Sequence, residues 1–247
     1  MMLAYVNLDA LLDEASEAEL AASPETRAHL DEAATRSWIF HDLQLEGVSL
    51  TQDDLDRAFS GVEGADYCDR VLLDQIRRYR ALTAQLRADA RAGRIEWTLG
   101  TLLGWRAQLD PEGRDQGLRA EDGPTEQYKH EVLPAAGIEP ALAALLQQLR
   151  ADPVGEHPVQ TAIHAQFELL RIWPFRTWSA LVARLVSDAL LLAQGYPPLI
   201  VPVHERHAYY SALHYERSRF DALLVACMEE QARARLRLAG QVHEPDR

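Results

Sequence analysis

The side chains best equipped for chemistry gather in one stretch, from Ile172 to Arg184. Thr177 and Ser179 bring hydroxyls there, Arg176 and Arg184 bring positive charge, and a helix beginning near Thr177–Ser179 brings backbone amides without intrahelical partners. Amides and cations at one helix end make an anion site. The same hydroxyls suit an N-cap, so Thr177 or Ser179 serves either a ligand or the helix itself. Trp173 and Trp178 either fill core space or form an aromatic platform for a planar ligand. Three histidines, His41, His164 and His207, are candidates for a base converging on this stretch. Otherwise each is an ordinary surface or helix-end residue. Cys68 and Cys227 lack metal-ligand spacing and are expected as small buried apolar residues.

Helices must position these groups. Residues 8–21 alternate acidic and Ala/Leu positions at helical spacing, and Ser23-Pro24 then reads as an N-cap with Pro at the first helical position. That second helix should run to Leu45 and close at Gly47. Thr51 with Asp54 three residues later opens another helix. The longest helical pattern, Ala65 to Ala92, carries a solvated Arg-rich face and ends at Gly93. Ile95 to Gln108 follows. Two turn-rich clusters, 110–117 and 121–124, flank extended candidates at Leu118–Ala120 and Tyr128–Leu133, which reads as a small hairpin. Further helices are expected at Pro140–Arg150, Pro158–Ile172, Ser179–Ala193, Glu205–Arg217 and Arg219–Ala239. The Gly195-Tyr196-Pro197-Pro198 stop separates the third and fourth of these. The expected class is all-α with one β-hairpin.

The chain has 247 residues and a net charge of −13, from 38 acidic against 25 basic side chains. A broad nucleic-acid or membrane-surface role needs concentrated Lys and Arg, so both are excluded. No apolar run approaches the roughly 20 residues of a membrane span, and the N-terminus lacks signal-peptide character; the expectation is a cytoplasmic protein.

Three stretches carry a family resemblance. Ile172-Trp173-Pro174-Phe175 is similar to Ile-His-Pro-Phe. Leu191-Leu192-Ala193-Gln194-Gly195-Tyr196-Pro197-Pro198, followed by Tyr209-Tyr210, is similar to a Gly-Tyr-Pro-Pro segment and its Tyr-containing helix. The turn-rich region 113–134 falls where the family has a target-positioning flap. Together they resemble the Fic-fold proteins, transferases of AMP and other phosphate compounds. The resemblance implies a Fic-like helical bundle with a flap. An N-terminal helical extension would occupy 1–94, the core 95–220, and a C-terminal helix with polar tail 221–247.

The family signature is His-Pro-Phe-x-(Asp/Glu)-Gly-Asn-Gly-Arg-x-x-Arg. By that resemblance Trp173 stands at the catalytic histidine and Thr177 at the metal-binding acid. Trp178-Ser179-Ala180 replaces Gly-Asn-Gly, and Leu181 replaces the first arginine. Pro174, Phe175 and the last arginine, Arg184, match. A lost general base costs about 10²–10⁴-fold in rate, and Thr177 alone is a poor Mg²⁺ ligand. The resemblance therefore implies a degenerate motif, no metal, and ATP or another nucleotide as the ligand class. A second implied feature is the family's inhibitory helix, Ser/Thr-x-x-x-Glu-Gly/Asn. Glu46-Gly47 matches it and Asp42 replaces the hydroxyl residue, so a Glu46–Arg184 ion pair is expected. A small-molecule or protein ligand would be met through the 113–134 flap. The expected function is a ligand- or partner-binding regulatory module. The alternative is a repurposed transferase acting on a nucleotide-like or phosphorylated substrate, and ordinary protein AMP transfer ranks last.

Overall fold

A computed structural model describes residues 2–113, 117–121, 131–151, 156–215 and 217–241. The chain order is α1 (Met2–Ala21), α2 (Pro24–Leu45), α3 (Gln52–Phe59), α4 (Tyr67–Arg91), α5 (Leu99–Leu109), α6 (Ala135–Arg150), α7 (Pro158–Ile172), α8 (Ser179–Ala193), a 3-10 turn at Val203–Glu205, α9 (Arg206–Ala212) and α10 (Arg217–Gln241). No described residue lies in a strand. No described helix is long and apolar enough to cross a membrane.

Local chemistry accounts for most boundaries. The Ser23 hydroxyl accepts from the Thr26 N–H at 3.1 Å, and Pro24 fills the first turn of α2. Thr51 and Asp54 cap each other's backbone N–H in a reciprocal box at the start of α3. Gly47 and Gly93 follow α2 and α4 with φ of +88° and +62°, a conformation that costs glycine least.

Several boundaries move. Helix α5 begins at Leu99, not Ile95, because the Thr98 side chain accepts from Thr101 N–H. Helix α6 begins at Ala135, directly after Pro134, and takes Pro140 inside it. The expected Glu205–Arg217 helix breaks into the 3-10 turn and α9. The expected strand Leu118–Ala120 is irregular chain; Tyr128–His130 and most of the 113–134 flap lie outside the described residues. Cys68 is exposed, against expectation, while Cys227 is buried.

Helix α8 is the centre. Every residue from Ser179 to Ala189 is buried, so α8 has no solvent face and other elements must enclose it on all sides. Helix α7 packs along it, α4 crosses it, and α1 packs against α10. One continuous apolar cluster runs from Tyr5 to Ala232 and draws on all three expected segments. This arrangement puts the α7–α8 turn at the end of the most buried helix, beside the end of α2.

Candidate functional site

The turn is built on two left-handed tryptophans. Trp173 ends α7 at φ 48°, ψ 63° while its N–H still reaches the Leu169 carbonyl at 2.8 Å. Trp178 precedes α8 at φ 67° and gives no side-chain cap. A non-glycine residue at positive φ costs roughly 1–2 kcal/mol, so the surroundings must hold both. Part of that hold is Ser179. Its Oγ accepts from the Phe175 N–H and donates to the Phe175 carbonyl, each at 2.7 Å. Ser179 is therefore neither N-cap nor ligand donor; it is buried and closes the turn. Thr177 does not cap α8 either: its exposed hydroxyl accepts from Arg106 Nη2 at 3.2 Å.

The rest of the hold comes from Arg119, a residue that no spacing or motif singled out. It is buried, with Nε donating to the Trp173 carbonyl at 2.7 Å and Nη1 to the Glu121 carbonyl at 2.7 Å. Nη2 donates to the Leu133 carbonyl and more distantly to Ile172. Its backbone N–H adds a bond to the Pro174 carbonyl. A guanidinium offers five donors in a fixed fork, so one side chain ties residues 121 and 133 to the turn.

Behind the turn lies a buried ionic cluster. Arg184 is fully enclosed. Its Nη2 meets Glu46 Oε1 at 2.8 Å, forming the expected ion pair, but its Nε meets Asp42 Oδ1 at 2.7 Å. Asp42 also accepts from the Tyr79 hydroxyl. Asp42 is thus a second anchor on the arginine, although the resemblance gave that position to a hydroxyl residue. Burial works against the Arg184 charge, but Asp42 and Glu46 outweigh it and raise its pKa well above the ordinary value. Burial pulls the Glu46 carboxyl up, against the opposing pull of Arg184. One turn further along α8, burial and then the Asp42 charge push Asp188 well above the carboxylate range; its Oδ1 accepts from Leu199 N–H at 2.8 Å. Asp42 and Glu46 thus share the guanidinium, while burial favours the neutral form of Asp188 beside them.

On the outer side of the turn is a cavity of about 440 Å³. Trp173, Arg176, Thr177 and Trp178 line it from the turn, Glu46 from the end of α2, and Arg78 from α4. Asp110, just past α5, also faces it. Pro174, Phe175 and Ser179 lie buried, Asp42 and Arg184 sit in the ionic cluster, and Gly47 is exposed. None of the three histidines lines the cavity. His41 Nδ1 accepts from Val203 N–H at 3.3 Å, and burial lowers its pKa, with Asp42 opposing. His164 shares Nδ1 with Arg217 at 2.9 Å; it precedes Ile172 by eight residues, roughly 12 Å along the helix axis. His207 is exposed.

No family model matches the chain. A 65-residue stretch is 37% identical to the protein adenylyltransferase Fic of Nematostella vectensis, covering 26% of this chain and 15% of that protein. A 57-residue stretch is 40% identical to the protein of the same name from Drosophila persimilis, covering 23% and 11%. The matches thus span less than a sixth of those relatives. Among solved structures, a Fic domain containing signaling protein from Bacteroides thetaiotaomicron superposes with a TM-score of 0.82 at 14% identity, covering 97% of this chain and 100% of that one. Fic-1 from C. elegans gives 0.79 at 18%, covering 98% and 73%. The chain is a Fic-fold protein.

Proposed function

We propose that this protein binds a nucleotide-like ligand in the cavity beside the α7–α8 turn and acts as a regulatory module without ordinary protein AMP transfer. The observation that carries this is the character of the wall. Trp173, at the position of the family's catalytic histidine, presents an indole, and no histidine lines the cavity. An indole N–H donates but accepts no proton, so it gives a target hydroxyl no base. Trp178 and Ala180, at the two glycine positions of the family signature, support the same reading, since close backbone approach to phosphate favours glycine. A volume of about 440 Å³ falls within the roughly 300–1,000 Å³ of ligand pockets. A protein partner would be met along the 113–134 flap.

One feature favours the repurposed-enzyme reading: Asp110 places a carboxylate in the cavity outside the Arg184 cluster, a group able to take a proton from a bound hydroxyl. Thermal unfolding with ATP, ADP and AMP, alongside labelled ATP with Mg²⁺ and cell lysate, separates the readings. Ligand at 100 times its Kd stabilises by about 2.7 kcal/mol. The module reading expects such a shift in the wild type, its loss in Trp178→Ala, and no transfer of label. Robust label transfer would sink it.

A further inference from the structure

The motif arginine is committed. Arg184 is wholly enclosed and spends its Nε and Nη2 on Asp42 and Glu46. Glu46 lines the cavity and Arg184 does not. Another cation must supply charge recognition if the cavity takes an anion.

Helix α4 brings one. Val71, Gln75 and Arg78 follow at i, i+4 and i+7 and line the same wall. Arg78 differs from the other buried or half-buried arginines in having no hydrogen-bond or ion-pair partner among the described residues; Arg106 and Arg184 also each keep one sealed nitrogen without an acceptor, but both bind through their other nitrogens. Its neighbour Arg77 is held by Asp74 at 2.9 Å, and Arg119 is held by a ring of carbonyls. Arg78 is only half-buried, so its terminal nitrogens, and not the sealed Nε, are the donors that an anion in the cavity would meet. The remaining donors suit a tetrahedral anion. Arg176 adds positive charge, and the Gln75 amide and Thr177 hydroxyl also line the cavity, from α4 and from the turn. Donors from two elements suit the terminal oxygens of a phosphate, which a guanidinium fork meets in pairs. Of the two indoles, Trp173 is buried and Trp178 is half-buried, so Trp178 is the one placed to meet a planar body.

Building on the proposed ligand-binding reading, we infer that Arg78 is the anion-recognising residue of this cavity, and that the ligand is a planar aromatic molecule carrying a phosphate. Charge recognition has thereby moved from α8 to α4.

The probes are AMP, adenosine and benzoate, titrated into the full chain and followed by tryptophan fluorescence and calorimetry. The wild type should bind AMP more tightly than adenosine, by about 10- to 100-fold for a charge-assisted fork. Arg78→Gln should bring AMP down to the adenosine level and leave adenosine binding unchanged. Arg78→Lys, which keeps charge and loses the fork, should fall between them. Both variants are checked for wild-type thermal unfolding first. If Arg78→Gln binds AMP as the wild type does while Trp178→Ala loses it, the cavity is a ligand site and the Arg78 assignment is overturned. Tighter binding of benzoate than of AMP overturns the phosphate assignment. If neither AMP nor adenosine binds the wild type, the ligand-binding reading itself fails.

Discussion

Removing the Asp42 carboxylate tests whether the buried cluster is a structural lock or an incidental contact. In Asp42→Ala, Arg184 keeps Glu46 but loses its 2.7 Å partner on Nε, and the buried Tyr79 hydroxyl loses its acceptor. Both Asp42 and Arg184 have wholly buried side chains, so water cannot replace what is lost. A buried bond to a charged group contributes about 1.5–3 kcal/mol, and an orphaned buried hydroxyl costs about 1–3. Together these give roughly 3–5 kcal/mol, the range for breaking a buried ion pair by removing one partner. For a chain of this length that lowers Tm by roughly 10 °C. Urea unfolding followed by circular dichroism and tryptophan fluorescence reads the difference. Asp56→Ala is the internal control. Asp56 pairs with Arg36 at 2.5 Å but its side chain is 68% exposed, and such surface pairs contribute about 0–1 kcal/mol. If Asp42→Ala lost no more than Asp56→Ala, the reasoning that burial fixes the strength of this cluster would be refuted. Asp42→Ala combined with Arg184→Met should lose less than the sum of the single variants, because the stranded guanidinium is gone.

Two further outcomes follow from the same geometry. Asp188 has its folded pKa raised well above 3.8 by burial, so the native state holds a proton that the unfolded chain releases. Its contribution to stability is therefore full below about pH 3.8 and declines as pH rises from there toward the raised folded value; Asp188→Asn should flatten that slope in urea titrations run at several pH values, and an unchanged slope would count against a protonated Asp188. Arg119→Ala should cost about 2–4 kcal/mol and speed hydrogen exchange at the Leu133 amide, which bonds the Arg171 carbonyl at 2.9 Å. Arg119→Lys should rescue little of this, since a single ammonium cannot span the carbonyls of Trp173, Glu121 and Leu133; near-complete rescue would show that charge alone suffices.

The helices were legible in the sequence wherever a cap or a stop sits beside an apolar period. Thr51 with Asp54 is one such place, and Pro158 through Ile172 another, because these signals act within one or two turns. The 3-10 turn before α9, the end of α9 at Ala212 and the early start of α6 at Ala135 were not, since tertiary packing outweighs a weak local preference at those ends. The flap was read from turn residues and extended runs. Those signals are equally met by irregular chain pinned from outside, as Arg119 pins Leu118–Ala120 to the turn.

For the site, the sequence by itself determined that Arg184 keeps a cation at the end of the motif and that indoles occupy the positions where the family has its base and a glycine; that Glu46 would reach Arg184 came from the family resemblance. Those facts depend on residue identity and order along the chain. Only the tertiary structure decided that Asp42 joins the same guanidinium across 142 positions, that the histidines face elsewhere, and that Arg78 looks into the cavity without an acceptor. Each is set by which side of a helix meets which neighbour when α2 and α4 close on α8. Helical phase about a packed axis is fixed by the assembled core, and a rotation of one residue, about 100°, would turn any of these side chains away.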